Sequence, residues 1–202
     1  MFKSHFRERI MGAVCALGVA FSSNVLADMT AEEAVALNTE ATATLEKFKA
    51  DTKGAEEVLE NAKGILVCPK IVKGGVGIGA EHGKCVLVSG ADEMLYYGST
   101  GLKAGAILGI GSHSMILAIN TDEKLAKFTG DEREWEFGVD ASVAVARVGV
   151  GGDLDTTNLK KDIVSFIFGS KGLIGDLTWE GSRFKKLDVV TTSVSGASNH
   201  SY

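Results

Sequence analysis

Apolar and polar positions change their period along this 202-residue chain. Ala34, Leu37, Ala41, Leu45 and Phe48 follow one another at spacings of 3, 4, 4 and 3, which places them on one stripe of an α-helix. Just ahead, Thr30-Ala31-Glu32-Glu33 matches the capping box, in which the threonine hydroxyl and the glutamate three residues on satisfy free backbone amides at a helix start. The pattern predicts that this helix ends by Lys53-Gly54 and that a short second helix over 55–62 buries Val58, Leu59 and Ala62. From Gly64 the period shortens to β-branched runs with glycines between them, the signature of strands and tight turns. Strands are predicted over 65–68, 76–80, 85–89, 94–97, 104–110 and 114–120. Thr121 then caps a helix reaching Phe128, and strands resume over 136–141, 142–149, 163–169, 172–180 and 182–190.

Composition adds one feature to that picture. Many of the 25 glycines alternate within presumed strands, as at Gly75, Gly77 and Gly79 and again at Gly149 and Gly151. Residues i and i+2 of a strand share a face, so these glycines bare one face and let the strand coil sharply. Sharp coiling rolls a small sheet towards closure. The expected fold class is therefore α+β: a curved, mostly antiparallel, glycine-rich, barrel-like sheet, with an N-terminal amphipathic helix and short helices packed outside. A single proline, Pro69, and no low-complexity linker make 28–190 one domain, followed by a Ser, Gly and Asn-rich tail over 191–202.

The N-terminus reads as an export signal. Lys3, Arg7 and Arg9 precede an apolar run from Ile10 to Phe21 and a Val25-Leu26-Ala27 ending, the pattern of a cleavable signal peptide over 1–27. Its apolar core falls short of the roughly 20 residues that span a bilayer as a helix. Cleavage discards Cys15 and moves the formal charge from −5 to −7, leaving an acidic periplasmic or secreted domain. Net negative charge argues against nucleic acid as a partner, since that binding rests on clustered Lys and Arg. Cys68 and Cys85 survive in a compartment that permits disulfides, and two readings stay open: a bridge, or two buried thiols packed as small apolar groups.

Candidate chemistry is thin. Lys73-Gly74-Gly75-Val76-Gly77-Ile78-Gly79 lacks both the Lys-Ser/Thr ending of a P-loop and the spacing of a dinucleotide fingerprint, so no nucleotide cofactor is expected. Asp153-Leu154-Asp155-Thr156-Thr157-Asn158 opens like a calcium loop, but Val164 stands where a bidentate Glu belongs. His82, His113 and His200 have no ligand-spaced partners, so no metal is expected. In Ser112-His113-Ser114 strand neighbours point to opposite faces, so no catalytic residue is assigned; a hydrolase using His82 or His113 is the weakest reading. The basic groups carry more information. Lys63, Lys70, Lys73 and Lys84 surround the first glycine run, and Arg183, Lys185 and Lys186 lie near the end. Arg183 and Lys185 share a strand face. Cations beside apolar strips suit an anionic phospholipid, and the plainer alternative is a solvated strand face.

These residues also carry a resemblance. Ala62-Lys63-Gly64-Ile65-Leu66-Val67-Cys68-Pro69 and Lys73 to Gly79 resemble the signature of the SYLF domain family. Later blocks follow in order: Tyr96-Tyr97, Ser99 to Gly105, Ala126 to Phe128, Trp135 to Ala141, and Lys171-Gly172-Leu173-Ile174 to Glu180-Gly181-Ser182. The resemblance implies lipid binding without catalysis. Eukaryotic members bind phosphoinositides and some bundle actin, while bacterial exported members are described as lipid-binding. It implies a phospholipid or membrane surface as partner, through Lys70 and Lys73 with Arg183 and Lys185, and makes actin an unlikely partner for an exported protein. An envelope scaffold or protein-interaction module is the alternative. Two departures stand out. The family usually has an apolar residue at the place of Cys68 and a glycine near Cys85, so a Cys68 to Cys85 bridge would be a local addition. The N-terminal helix carries Glu32, Glu33, Glu40 and Glu46 against Lys47 and Lys49, unlike the Lys-rich helices that insert at anionic surfaces, which points to packing on the sheet instead.

Overall fold

A computed structural model of the chain describes residues 28–90, 94–130, 134–137, 143–147, 161–172 and 182–190. Residues 1–27, where a signal peptide is expected, the Asp153 loop, the strand expected over 172–180 beyond Gly172, His200 and the tail lie outside the described residues.

Helix α1 (Ala31–Asp51) starts at the capping box: the Glu33 amide donates to the Thr30 hydroxyl at 3.1 Å and the Thr30 amide donates to the Glu33 carboxylate at 3.0 Å. Ala34, Leu37, Ala41 and Phe48 are its buried stripe, as the spacing predicts. Helix α2 (Ala55–Asn61) follows, and α3 (Asp122–Thr129) is capped by Thr121.

Seven strands form the sheet among the described residues: β1 (Asp28–Thr30), β2 (Gly64–Ser89), β3 (Met94–Ile119), β4 (Glu134–Phe137), β5 (Val143–Arg147), β6 (Ile163–Gly172) and β7 (Ser182–Val190). The fold is α+β with a curled half-barrel, as expected from the glycines. The strands differ from expectation in one respect. Six short runs between 65 and 120 are two continuous 26-residue strands, paired antiparallel from Gly64↔Ile119 to Val88↔Met94. Glycines that look like breaks in the sequence are bends inside unbroken strands.

The principal bend lies at Gly75–Gly79. There β2 doubles back, bringing Cys68 of its first arm to Cys85 of its second, and the two form a disulfide with Cα atoms 4.1 Å apart. Such contact requires glycine: a Cβ on Gly75 would stand 2.3 Å from the Ile78 carbonyl oxygen, and Gly77 turns the chain at a left-handed φ of 72°. The first arm continues laterally through β3 and β6 to β5, the second through β3 and β7 to β4 and the short parallel β1.

Rolling creates two cores. The inner face packs Leu66, Cys68, Ile71, Cys85, Leu87, Tyr97, Met115 and Phe184 around Phe128 of α3. The Tyr97 hydroxyl donates to the Phe128 carbonyl at 2.9 Å, so α3 plugs the end of the half-barrel where β2 begins and β3 finishes. On the outer face α1 covers Val67, Val86, Ile116, Phe166, Phe168 and Leu187. Phe48 anchors it there, with ring centroids 5.1 Å from Phe166 and 5.3 Å from Phe168.

Candidate functional site: the outer face beyond the first helix

Pairing register decides which side chains continue the outer face past the helix. In the second arm Val86, Tyr96 and Leu187 form an outer row under α1. The next outer row is Lys84, Gly98 and Lys185, and the next His82, Thr100 and Arg183. Lys84 and Lys185 are half-buried; His82 and Arg183 are exposed. Beyond them come Ala80 opposite Leu102, then Ile78 opposite Ala104.

The first arm repeats the order. Past the helix-covered row of Val67, Ile116 and Phe166, both β2 and β6 bulge, and the Ser114 hydroxyl donates to the Pro69 carbonyl at 2.8 Å to tie the β2 bulge down. Lys70 is exposed within that bulge. The next outer row is Val72, Ser112 and exposed Lys171, followed by Gly74 opposite Ile110 and Val76 opposite Leu108.

Three bands therefore cross the outer face: a helix-covered apolar band, a band of cations, and an uncovered apolar end at the bend. Lys84 donates to Glu33 of α1 at 3.0 Å, which ties the cation band to the helix. Glu33 accepts first from the Thr30 amide and then from Lys84, and both hold its carboxyl below the ordinary 4.5. Exposed Glu134 stands opposite Lys185 on β4.

Of the four residues singled out from the sequence, Arg183 and Lys185 share the outer face of the second arm, and Lys70 lies in the first-arm bulge. Lys73 is half-buried and shares the inner-face parity of Ile71 and Gly75, so alternation separates it from Val72. Lys171 and the apolar side chains of the bend complete the surface. Lys171 is 98 positions from Lys73 in the chain, and only the β3–β6 register brings it to the first arm.

The inner face holds the remaining polar groups. Glu81, buried, accepts a short hydrogen bond from the Ser182 hydroxyl across Gly101, whose absent side chain makes room for it. His113 is buried opposite Ile71 while His82 is exposed on the outer face. The two histidines thus form no shared site. No group of three or more metal-ligating side chains occurs among the described residues. No described helix is long and apolar enough to cross a membrane.

A family model described as Ysc84, Las17-binding protein actin regulator, matches residues 100–198. That stretch runs from the second arm of the hairpin through β7. No curated protein matches the chain.

Proposed function

Residues 100–198 belong to the SYLF (Ysc84) family of lipid- and actin-binding modules, and from that premise we propose that this chain is an exported lipid-binding protein of the cell envelope. It recognises anionic phospholipid through a basic surface beside apolar surface and carries out no catalysis. The observation that supports this most is the cation band: Lys171 on one arm, with exposed Lys70 in the bulge beside it, and Lys84, Arg183 and Lys185 on the outer face of the other. Phosphate-bearing head groups are attracted to such a band within a screening length of roughly 8 Å at physiological salt. The Cys68–Cys85 bridge supports an oxidising compartment, where disulfides persist.

Vesicle co-sedimentation of the chain lacking residues 1–27 tests the reading. Binding to phosphatidylglycerol vesicles, weak or absent on phosphatidylcholine and lost as salt is raised, is the expected result. A chain that ignores anionic vesicles at low salt, yet retains a stoichiometric envelope protein in a pull-down, would be a scaffold instead. The family description names actin regulation, so co-sedimentation with actin filaments belongs in the same series, and no pelleting is expected.

A further inference from the structure

The apolar end of the three-band face is unlike an ordinary solvated surface. Val76, Ile78, Leu102, Leu108 and Ile110 are between 71 and 78 % exposed, and Val72 adjoins them at 43 %. All lie on the outer parity of one bent hairpin, at the end of the half-barrel opposite the α3 plug. Aliphatic side chains grouped in this way mark a surface that water does not cover in use.

Three features identify what covers it. First, its backbone is already paired: Gly74 with Ile110, Val76 with Leu108, Ile78 with Ala104 and Ala80 with Leu102. Each strand of this ribbon is paired to the other, so the face between them presents side chains rather than open backbone. Second, the sequence holds no carboxylate from Lys70 to Ala80 or from Thr100 to Ser114, although the whole chain has a net charge of −5. Third, cations flank the apolar end on both arms, Lys171 in the row of Val72 across Ser112 on one, and Arg183, paired with Glu136 of β4, one row behind Leu102 on the other. Apolar groups ahead of cations match the layering of hydrocarbon beneath anionic head groups. A second copy meeting crest to crest would instead bring the two cation bands together.

We propose that this crest enters the head-group and acyl boundary of an anionic bilayer, so that the protein engages lipid in place, as a peripheral wedge, without lifting it out of the membrane. The inference rests on the lipid-binding reading and adds to it a mode and a set of residues. Ile78, Leu102, Leu108 and Ile110 supply the inserted surface. Lys70, Lys171 and Arg183 meet phosphate.

The test uses vesicles of equimolar phosphatidylglycerol and phosphatidylethanolamine. Leu108→Trp is compared with Ala43→Trp, which sits on the exposed side of α1, each read against the parent's own tryptophan signal. Tryptophan at 108 should shift to the blue and be quenched by lipids brominated on their acyl chains, while tryptophan at 43 should not. Separately, Ile78→Ser with Ile110→Ser should weaken vesicle binding by roughly tenfold or more, given the transfer energy of two aliphatic side chains. Its circular dichroism and melting should match the parent, because both side chains are exposed. Dispersed short-chain phosphatidylglycerol should bind parent and variant alike. If the parent binds vesicles but neither quenching nor the serine pair has an effect, the wedge is wrong and lipid binding stands. If the parent binds neither vesicles nor short-chain lipid, both readings fall. A parent dimer that the serine pair dissociates would assign the crest to self-association and overturn the wedge.

Discussion

Gly75 shows how much one missing side chain decides. Its inner-face position lies where the two arms of β2 approach each other, and a Cβ there would meet the Ile78 carbonyl oxygen at 2.3 Å and the Gly79 Cα at 2.4 Å. Both obstacles are backbone, so neither can rotate away. Gly75→Ala should therefore cost about 1 to 3 kcal/mol through forced opening of the bend. Urea unfolding followed by circular dichroism measures it, and an unchanged midpoint would show that the arms do not pass this closely.

At the level of the element, α1 joins two kinds of stabilisation. Its C-terminal half is held by Phe48, fully buried against Phe166 and Phe168. Phe48→Ala leaves an aromatic-sized cavity under the helix and should lower stability by about 3 to 5 kcal/mol in the same urea assay. The N-terminal end is held by the capping box and by Lys84. Because Glu33 is held below its ordinary 4.5, its carboxylate contributes stability that is present above that value and is lost as pH falls through the folded pKa. The parent should accordingly be more stable than Glu33→Gln near neutrality, and the difference should shrink below pH 4.5, as melts at a series of pH values would show.

The whole molecule is a rolled sheet with an inner core, an outer helix and a clasp. The clasp is the Cys68–Cys85 bridge, which spans 17 positions of one strand and pins its arms together. Closing a loop of that size removes unfolded-chain freedom worth about 3 kcal/mol. Reduction, or Cys68→Ala with Cys85→Ala, should lower unfolding stability by about that much, and reductant should leave the double variant unaffected. Both arms carry the outer bands, so the bridged and reduced forms should also differ in vesicle affinity. Equal affinity would mean that neighbouring strands alone set the spacing of the bands.

Much of this was legible in the residues. The capping box and the apolar stripe are local signals, because helix hydrogen bonds and i, i+4 neighbours lie within one turn, and they gave α1 and the α3 cap. Alternating glycines indicated a curled sheet, since a bare face permits close approach wherever it folds. The two cysteines were visible as a pair, with bridge and free thiols both open. Strand continuity was not legible: Gly75 to Gly79 reads as a break when only neighbours are considered, and only pairing with β3 on both sides of a register shift at Val76 and Ile78 makes it one bent strand. Nor was the side on which Lys73 falls, because the bulge at Pro69 and Lys70 resets the alternation. The sequence by itself determined the helices, the sheet class and the chemistry available, since these follow from short-range periodicity and residue type. Only the tertiary structure decided that Lys171 and Arg183 share the outer face with one apolar crest, because register across β3, β6 and β7 joins positions that no local pattern relates.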